Sequence, residues 1–195
     1  MTVKKLIALA ALAAVSSMGY AQEAAPQQGL HWIVGADVGG GGDTLITVPY
    51  TDGTSQPIKS GNGIQVKGGF AYTLSPSLTL LATLGYEFDT TTRANNGNVT
   101  FSRWPVEALG LWSLGEKFRL GGGMRIATNA KLTSSGAASI LGTTSFDGKM
   151  GVVLQGEYLF TPKNAITLRF IKEQYEVNKV NVNADHVQLG YNHYF

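Results

Sequence analysis

Residues 186–195 read HVQLGYNHYF. Apolar side chains (Val187, Leu189 and Tyr191) alternate with polar or small ones, which is the period-two pattern of a half-buried β-strand. The alternation continues up to the aromatic residue Phe195, whereas the ends of a soluble domain usually fray in water. We therefore expect a strand that is needed to its last residue, as it would be in a barrel closed within a membrane.

Seven further segments show the same alternation, with a length that suits a tilted strand crossing a bilayer. They begin at Leu30, Ile64, Leu78, Trp104, Phe118, Met150 and Ile166. Three short connections separate them: Ser75–Ser77, Ser113–Lys117 and Thr161–Asn164. Four longer ones are rich in Gly, Ser, Thr and Asn and are expected to be loops: Gly39–Gly63, Asp89–Thr100, Thr128–Ser145 and Glu176–Asp185. The sequence predicts an all-β fold, an eight-stranded antiparallel up-and-down transmembrane β-barrel over residues 30–195, with three periplasmic turns and four external loops.

Residues 1–21 have the layout of a secretory signal peptide. Two lysines precede the apolar run Leu6–Val15, and a small, polar segment ends at Ala21. We expect cleavage after Ala21 and a short polar leader over residues 22–29. Cleavage would remove two of the 15 basic residues and none of the 13 acidic ones, so the net charge of the remaining chain is zero. A nucleic-acid partner is therefore not expected.

Alternation alone does not say which face of the barrel is outside. A soluble carrier would turn its apolar face inward around a greasy ligand. Aromatic residues near both ends of the apolar faces, and single charges spaced along a glycine-rich polar face, favour a membrane barrel instead. We expect Leu80, Leu120 and Val152 to face acyl chains, and Glu107 and Arg125 to lie inside.

Eleven charged residues lie on the face predicted to line the lumen. They are Asp37, Lys67, Glu87, Arg103, Glu107, Arg119, Arg125, Lys149, Glu157, Arg169 and Glu173. Side chains fill the interior of an eight-stranded barrel, so these charges must be paired. The expected pairings are Arg119 with Glu157, Glu87 with Arg103, Glu107 with Arg125 or Arg169, and Glu173 with Lys149. The set predicts a polar plug that holds a closed barrel together, or alternatively a selectivity filter or gated pore.

The whole pattern resembles the small eight-stranded outer-membrane barrels, such as outer membrane protein X, outer membrane protein W and the membrane domain of outer membrane protein A. The segments 103–109 and 118–125 also resemble outer-membrane β-barrel proteins of proteobacteria. The resemblance implies a place in the Gram-negative cell envelope, in contact with outer-membrane lipids and lipopolysaccharide. It also implies that the barrel-assembly machinery reads Tyr191 and Phe195, although His193 departs from the commonest residue of that signal.

Two functions remain open for such a barrel. In the first, which we favour, the barrel is structural or its loops meet an unknown extracellular ligand. Lys172 then either contacts an anionic lipid headgroup or is an ordinary interfacial anchor. In the second, the barrel is a narrow porin-like channel or small-solute conduit. The apolar segment Leu45–Val48 would then line its entrance, or else extend a hairpin beyond the bilayer.

Catalysis, cofactors and metals are not expected. The chain has no cysteine, which excludes disulfides, thiolate zinc sites and cysteine nucleophiles. His31 and His186 are predicted to point inward, and His193 lacks the following Ser-Asn that lipid A deacylases of this fold have. The expected loops contain no histidine, unlike those of palmitoyl transferases of similar size. The glycine run 39–42 lacks the Lys-Ser/Thr of a phosphate-binding loop.

Overall fold

The computed structural model describes residues 29–50, 52–91 and 97–195. The predicted signal peptide with its cleavage site at Ala21, and the predicted leader up to residue 28, lie outside the described residues. The described part has thirteen strands and one 3-10 helix, η1 (Gly136–Leu141); within it, no helix has both the length and the apolar character needed to cross a membrane. The strands are β1 (Gly29–Gly41), β2 (Thr44–Pro49), β3 (Ser55–Lys59), β4 (Gly63–Ser75), β5 (Leu78–Thr90), β6 (Val99–Ser113), β7 (Phe118–Ser134), β8 (Thr143–Gly148), β9 (Met150–Thr161), β10 (Asn164–Lys172), β11 (Gln174–Val177), β12 (Val180–Asn183) and β13 (His186–Tyr194).

Eight of these strands form one closed antiparallel sheet. Their order around the barrel is β1, β4, β5, β6, β7, β9, β10 and β13, and β13 pairs back with β1. The closing register runs from Ile33 opposite Tyr194 to Gly41 opposite His186. Because a closed sheet has no free edge, every barrel strand has two hydrogen-bonding neighbours. The predicted all-β fold with eight antiparallel strands is confirmed.

Apolar side chains cover the outside of the barrel. Leu80, Leu120 and Val152 are 43%, 47% and 61% exposed, whereas Glu107 and Arg125 are 3% and 1% exposed. A soluble carrier with an apolar cavity would show the reverse distribution. The prediction that the apolar face looks outward is therefore confirmed. We call the outward apolar side chains of the eight barrel strands the lipid-facing belt.

The two ends of the barrel differ. At one, the turn end, connections of two to four residues join β4 to β5, β6 to β7 and β9 to β10. At the other, the loop end, β6 and β7 continue past the belt, β8 pairs with β7, β11 with β8, and β12 with β11. A register shift between Ser102 and Trp104, opposite the positive-φ residue Asn129 (φ 52°), marks where this extension begins. The long connections predicted as loops therefore include strands as well as turns. Thr and Val side chains there favour β-structure.

The β2–β3 hairpin folds into the mouth of the loop end. Ile58 of β3 is fully buried in an apolar cluster that we call the cap core: Ile58, Val99, Phe101, Ala127, Ala130, Phe146, Tyr175 and Ala184. Leu45, Ile46 and Val48 of β2 pack against the same cluster. The Asp43 and Asn183 backbones are joined by an N–H···O bond of 2.8 Å, and Ser60 Oγ donates to Asn183 O at 2.6 Å. The segment Leu45–Val48 therefore lies in a hairpin beyond the belt, one of the two predicted alternatives, and packs against the cap core.

Candidate functional site in the barrel lumen

The structure buries ten of the eleven predicted lumen charges inside the barrel. Nine of them occupy alternate positions of the barrel strands, because the opposite face of each strand carries the lipid-facing belt, and Glu173 directly follows β10. Eight lie together in the half of the lumen nearer the loop end, and we call them the central network: Asp37, Lys67, Glu87, Arg103, Glu107, Arg125, Arg169 and Glu173. The other two, Arg119 and Glu157, lie toward the turn end.

Arg125 is the hub of the central network. Its guanidinium donates to Glu87 Oε2 at 2.6 Å, to Glu107 Oε1 at 2.8 Å and to Glu173 Oε2 at 2.9 Å. A further bond of 3.1 Å reaches Gln65 Oε1 on β4. The fixed fork of five guanidinium N–H groups allows one arginine to hold several acceptors at once. Arg125 thereby links β7 to β4, β5 and β6 across the lumen.

Arg169 of β10 forms the second cross-lumen link. Its Nη2 donates to Glu107 Oε2 at 2.5 Å, and its Nη1 donates to Gln188 Oε1 at 2.8 Å. Nη1 also lies 3.4 Å from Asp37 Oδ2, and Lys67 Nζ lies 2.8 Å from the same oxygen. Glu107 therefore bridges the two arginines that span the barrel, which gives the network a continuous path of charge-assisted hydrogen bonds.

Arg103 connects the central network to the cap core. It forms a two-point contact with Glu87, through Nη2 to Oε1 at 2.6 Å and Nε to Oε2 at 3.2 Å. Its guanidinium carbon lies 5.1 Å from the centre of the Phe101 ring, which belongs to the cap core. The central network and the cap core are therefore in direct contact.

Tyr175 of β11 makes a second connection between the central network and the cap core. Its ring packs edge-on against Phe101, with centroids 5.7 Å apart, and its hydroxyl donates to Glu173 Oε1 at 3.0 Å. Burial raises the pKa of Tyr175, so its hydroxyl stays protonated and acts as a donor.

A second polar cluster lies toward the turn end, around Glu157. The carboxylate accepts hydrogen bonds of 2.9 Å from the Tyr194 hydroxyl, Asn192 Nδ2 and Gln155 Nε2. Arg119 Nη1 lies 3.7 Å from Glu157 Oε2, and its guanidinium lies over the Tyr194 ring at 5.3 Å. Apolar side chains such as Leu109 and Leu111 fill the neighbouring space.

The buried charges balance. The ten described lumen residues comprise five acidic and five basic side chains, with each acid within 4 Å of at least one base. Removing one member of a buried pair typically destabilises a protein by about 3–5 kcal/mol, because the remaining charge stays buried and uncompensated. The lumen is therefore filled by a neutral, mutually dependent set of side chains.

Lys149 is the exception, and its predicted pairing with Glu173 was wrong. Its side chain is 42% exposed and lies 2.8 Å from Glu176 Oε2 and 2.7 Å from Asn181 Oδ1. Glu173 instead contacts Arg125. The reason is local: β8 ends at residue 148 and β9 begins at residue 150, so the alternation that assigned Lys149 to the lumen is interrupted there.

Several lumen residues were missed by the sequence analysis. Gln65 and Gln155 lie on the inward face of β4 and β9, where the same alternation that selected Lys67 could have identified them. Tyr175 was not identified in that way, because it lies between the last residue of the seventh predicted strand and the predicted loop Glu176–Asp185. Leu109 also points inward, although it is apolar. It was missed because it belongs to an apolar run in which no alternation is visible.

Five buried polar atoms in the lumen have no hydrogen-bond partner among the residues that the structure describes: Gln65 Nε2, Gln155 Oε1, Arg169 Nε, His186 Nε2 and Asn192 Oδ1. They occur in the central network and in the Glu157 cluster. Buried polar groups of this kind are commonly satisfied by ordered water. The lumen thus offers sites for single water molecules between its side chains.

The remaining predicted residues lie on the outside. Lys172 is exposed at the loop end of β10, opposite Val152 of β9. Tyr191 faces outward near the turn end and donates its hydroxyl to Asn164 Oδ1. Phe195 is 58% exposed, and its backbone N–H donates to the Trp32 carbonyl at 3.0 Å.

The three histidines do not form a common site. His186 is buried at the loop end, His193 lies near Asn164 at the turn end, and His31 lies beside the Phe195 carbonyl. Among the residues that the structure describes, no group of three or more His, Cys, Asp or Glu side chains could hold a metal ion.

Known structures of small membrane barrels are similar to this chain. Ail of Yersinia pestis, solved in complex with the heparin analogue sucrose octasulfate, is 15% identical with a TM-score of 0.51, over 87% of this chain and 100% of that chain. Neisserial surface protein A is 13% identical with a TM-score of 0.50, over 86% and 98%. The outer membrane protein AlkL in DMPC bilayers is 12% identical with a TM-score of 0.41, over 92% and 96%. No protein-family model and no curated protein matches the sequence.

These similarities concern the fold. The similarity to Ail and to Neisserial surface protein A agrees with the closed eight-stranded barrel. The chain therefore has the fold of the small eight-stranded outer-membrane β-barrels, and its outer surface is apolar, as in a barrel that faces lipid.

Proposed function

We propose that this outer-membrane barrel has a structural or surface-interaction role and that its lumen is sealed. The observation that carries the proposal is the pair of cross-lumen links made by Arg125 and Arg169. A conducting pore needs a continuous column of water, but here two guanidinium groups and their carboxylate partners fill the cross-section. The cap core adds a second, apolar layer above them.

A surface role is supported by the extension at the loop end. Strands β7, β8, β11 and β12 pair side by side there, so they present a continuous sheet surface beyond the lipid-facing belt. Its tips carry exposed aliphatic side chains: Ile140 is 92% exposed, Val180 61% and Leu141 49%. We propose that these tips contact an extracellular ligand, with the loop end outside the cell and the turns in the periplasm. A photo-crosslinking residue at Ile140 is expected to capture such a ligand on intact cells, and one at Leu114, in a turn, is not.

Conductance tests whether the lumen is sealed. The refolded protein in a planar bilayer is expected to show no discrete openings. Arg103→Ala and Glu107→Ala each remove one member of the central network, and Lys149→Ala serves as a control outside the lumen. Steady openings of the unmodified barrel, with a conductance that changes in the two lumen variants and not in the control, would contradict the proposal.

The alternative function is a narrow porin-like channel or small-solute conduit. It is favoured by the five buried polar atoms without protein partners, because they indicate where water could enter the lumen. The conductance measurement distinguishes the two functions, since single isolated waters do not carry current whereas a connected file of waters does.

Two contacts of the outer surface are also proposed. Lys172 would bind an anionic group of lipopolysaccharide, so Lys172→Gln is expected to lower the amount of lipopolysaccharide that copurifies, whereas Lys149→Gln is not.

Tyr191 and Phe195 would be read by the barrel-assembly machinery. Phe195→Ala is therefore expected to reduce the fraction of heat-modifiable, folded barrel in the outer membrane, whereas Phe160→Ala, another outward aromatic near the turn end, should change it little.

We further propose that the barrel is not an enzyme and needs no cofactor. The proposal is supported by the separation of the three histidines between the two ends of the molecule. Incubation of the purified barrel with lipopolysaccharide and phospholipid, followed by mass spectrometry of the lipids, tests it. A change in lipid mass that depends on the protein would contradict it.

A further inference from the structure

The outside of the barrel is not uniformly convex. A groove of about 800 Å³ crosses the lipid-facing belt over β5, β6 and β7. Its walls include Leu30, Phe70, Tyr72 and Met124. The groove lies in the half of the belt nearer the turn end, since Leu80 at its edge is two residues from the start of β5.

Small residues on adjacent strands make the floor of this groove. Ala82 lies opposite Ala108, and Gly110 lies opposite both Leu80 and Gly122. Elsewhere on the belt, large side chains such as Trp112 and Leu120 project outward. A Cβ atom built on Gly110 would meet only Leu80 and Trp112 atoms at 3.8 Å, so the floor there is open and not sterically required to be glycine.

The surroundings of the groove identify the chemistry of its occupant. No charged side chain of the described part of the chain lines it, and it is continuous with the lipid-facing belt. The residues that precede Leu30 are polar (QEAAPQQG, 22–29) and do not match an apolar groove. A symmetric dimer would place the same concave patch of two copies face to face, which would leave a void between them.

We propose that this groove binds one acyl chain of a phospholipid. Lipid surrounds the whole belt, so the favourable free energy of binding does not come from transferring the acyl chain out of water. It comes from van der Waals contact, because a chain seated between the Phe70 and Met124 walls touches protein on three sides whereas a lipid on a convex wall touches it on one. The choice of phospholipid over lipopolysaccharide rests on the proposed orientation, in which the turn end faces the periplasmic leaflet.

Native mass spectrometry of the full chain, refolded in detergent with added phospholipid, tests this site. Three variants fill the floor of the groove: Ala108→Leu, Gly110→Leu and Ala82→Leu. Ala36→Leu and Gly156→Leu are matched controls, because both residues are outward, outside the groove, and a Cβ at Gly156 meets nothing closer than 4.0 Å. Only variants whose gel migration remains heat-modifiable are compared.

We expect one retained phospholipid per barrel in the unmodified protein and in both controls. In the filled variants, the retained fraction should fall about tenfold, the change that 1.4 kcal/mol produces. Equal retention in filled variants and controls would overturn the site. A dimer that the filled variants abolish would assign the groove to a second copy, and retention of added lipopolysaccharide instead of phospholipid would overturn the choice of lipid. All of these results are independent of conductance, so the sealed-lumen proposal and the groove can fail separately.

Discussion

In the half of the barrel nearer the loop end, the strands carry charged side chains inward and apolar ones outward, and beyond the belt this relation is inverted. Strand β6 shows both arrangements within four consecutive residues. Arg103 points into the central network and Trp104 into the lipid-facing belt, whereas Phe101 points into the cap core and Ser102 outward. Strand β7 shows the same change from Met124 and Arg125 to Ala130 and Lys131.

This exchange of polar and apolar residues between the two faces shows where the surroundings of the barrel change from hydrocarbon to water. Hydrocarbon outside favours apolar outward residues, so the inward positions are free to be charged and paired. Water outside favours polar outward residues, so the inward positions must supply an apolar core, as in a soluble protein. The edge of the membrane therefore lies near the level of Arg103 and Trp104, and four predictions test this comparison.

Loss of the hub of the charged region should have the largest effect. Arg125→Met leaves Glu87, Glu107 and Glu173 without their shared partner. We expect the free energy of unfolding in lipid vesicles to fall by about 3–5 kcal/mol, measured by urea titration. A loss below about 1 kcal/mol would show that the central network tolerates an unpaired carboxylate and does not hold the lumen together.

A lysine on the outer face of β6 should affect stability differently in the belt and in the extension beyond it. Val106→Lys places a lysine in the lipid-facing belt, and Thr100→Lys places it on the outer face of the extension. Val106→Lys should destabilise the barrel by about 2–4 kcal/mol, whereas Thr100→Lys should change the stability by less than about 0.5 kcal/mol. Equal effects of the two variants would contradict the position of the membrane edge given above.

Truncation in the cap core should have a smaller and more local effect. Ile58→Ala removes a fully buried side chain and should cost about 2 kcal/mol, at the low end for such changes, because the hairpin can partly collapse around the space. We expect trypsin to cleave more rapidly after Lys59 while the barrel itself stays folded on gels. Val48→Ala, which is only partly buried, is the control. Unfolding of the whole barrel by Ile58→Ala would show that cap and lumen are one cooperative unit.

The smallest effect is expected for the hydrogen bond that joins the two regions. Tyr175→Phe keeps the ring in the cap core but removes the donor to Glu173. The free energy of unfolding should fall by about 1 kcal/mol, the usual net contribution of such a bond. An unchanged stability would mean that Glu173 is held by Arg125 alone.

Prediction from the sequence succeeded where one pattern continued and failed where it changed. In the belt, strict alternation identified each barrel strand and the side to which Glu107 and Leu120 point. Beyond Arg103 the same strands carry apolar residues inward and polar ones outward, and Tyr175, just before the predicted loop Glu176–Asp185, was missed. Lys149 failed for a related reason, since it lies between two strands and the alternation cannot be carried across that gap.

The sequence by itself determined the barrel and the side of the wall on which each belt residue lies, because that side depends only on the position of a residue along its own strand. Only the tertiary structure decided that Arg125 reaches Glu87 and Gln65 across the lumen, that the β2–β3 hairpin folds into the mouth, and that Ala82, Ala108 and Gly110 meet in one groove. These contacts depend on how the closed sheet brings distant strands to the same height. Strand tilt and register set that height, and no single segment of the chain encodes it.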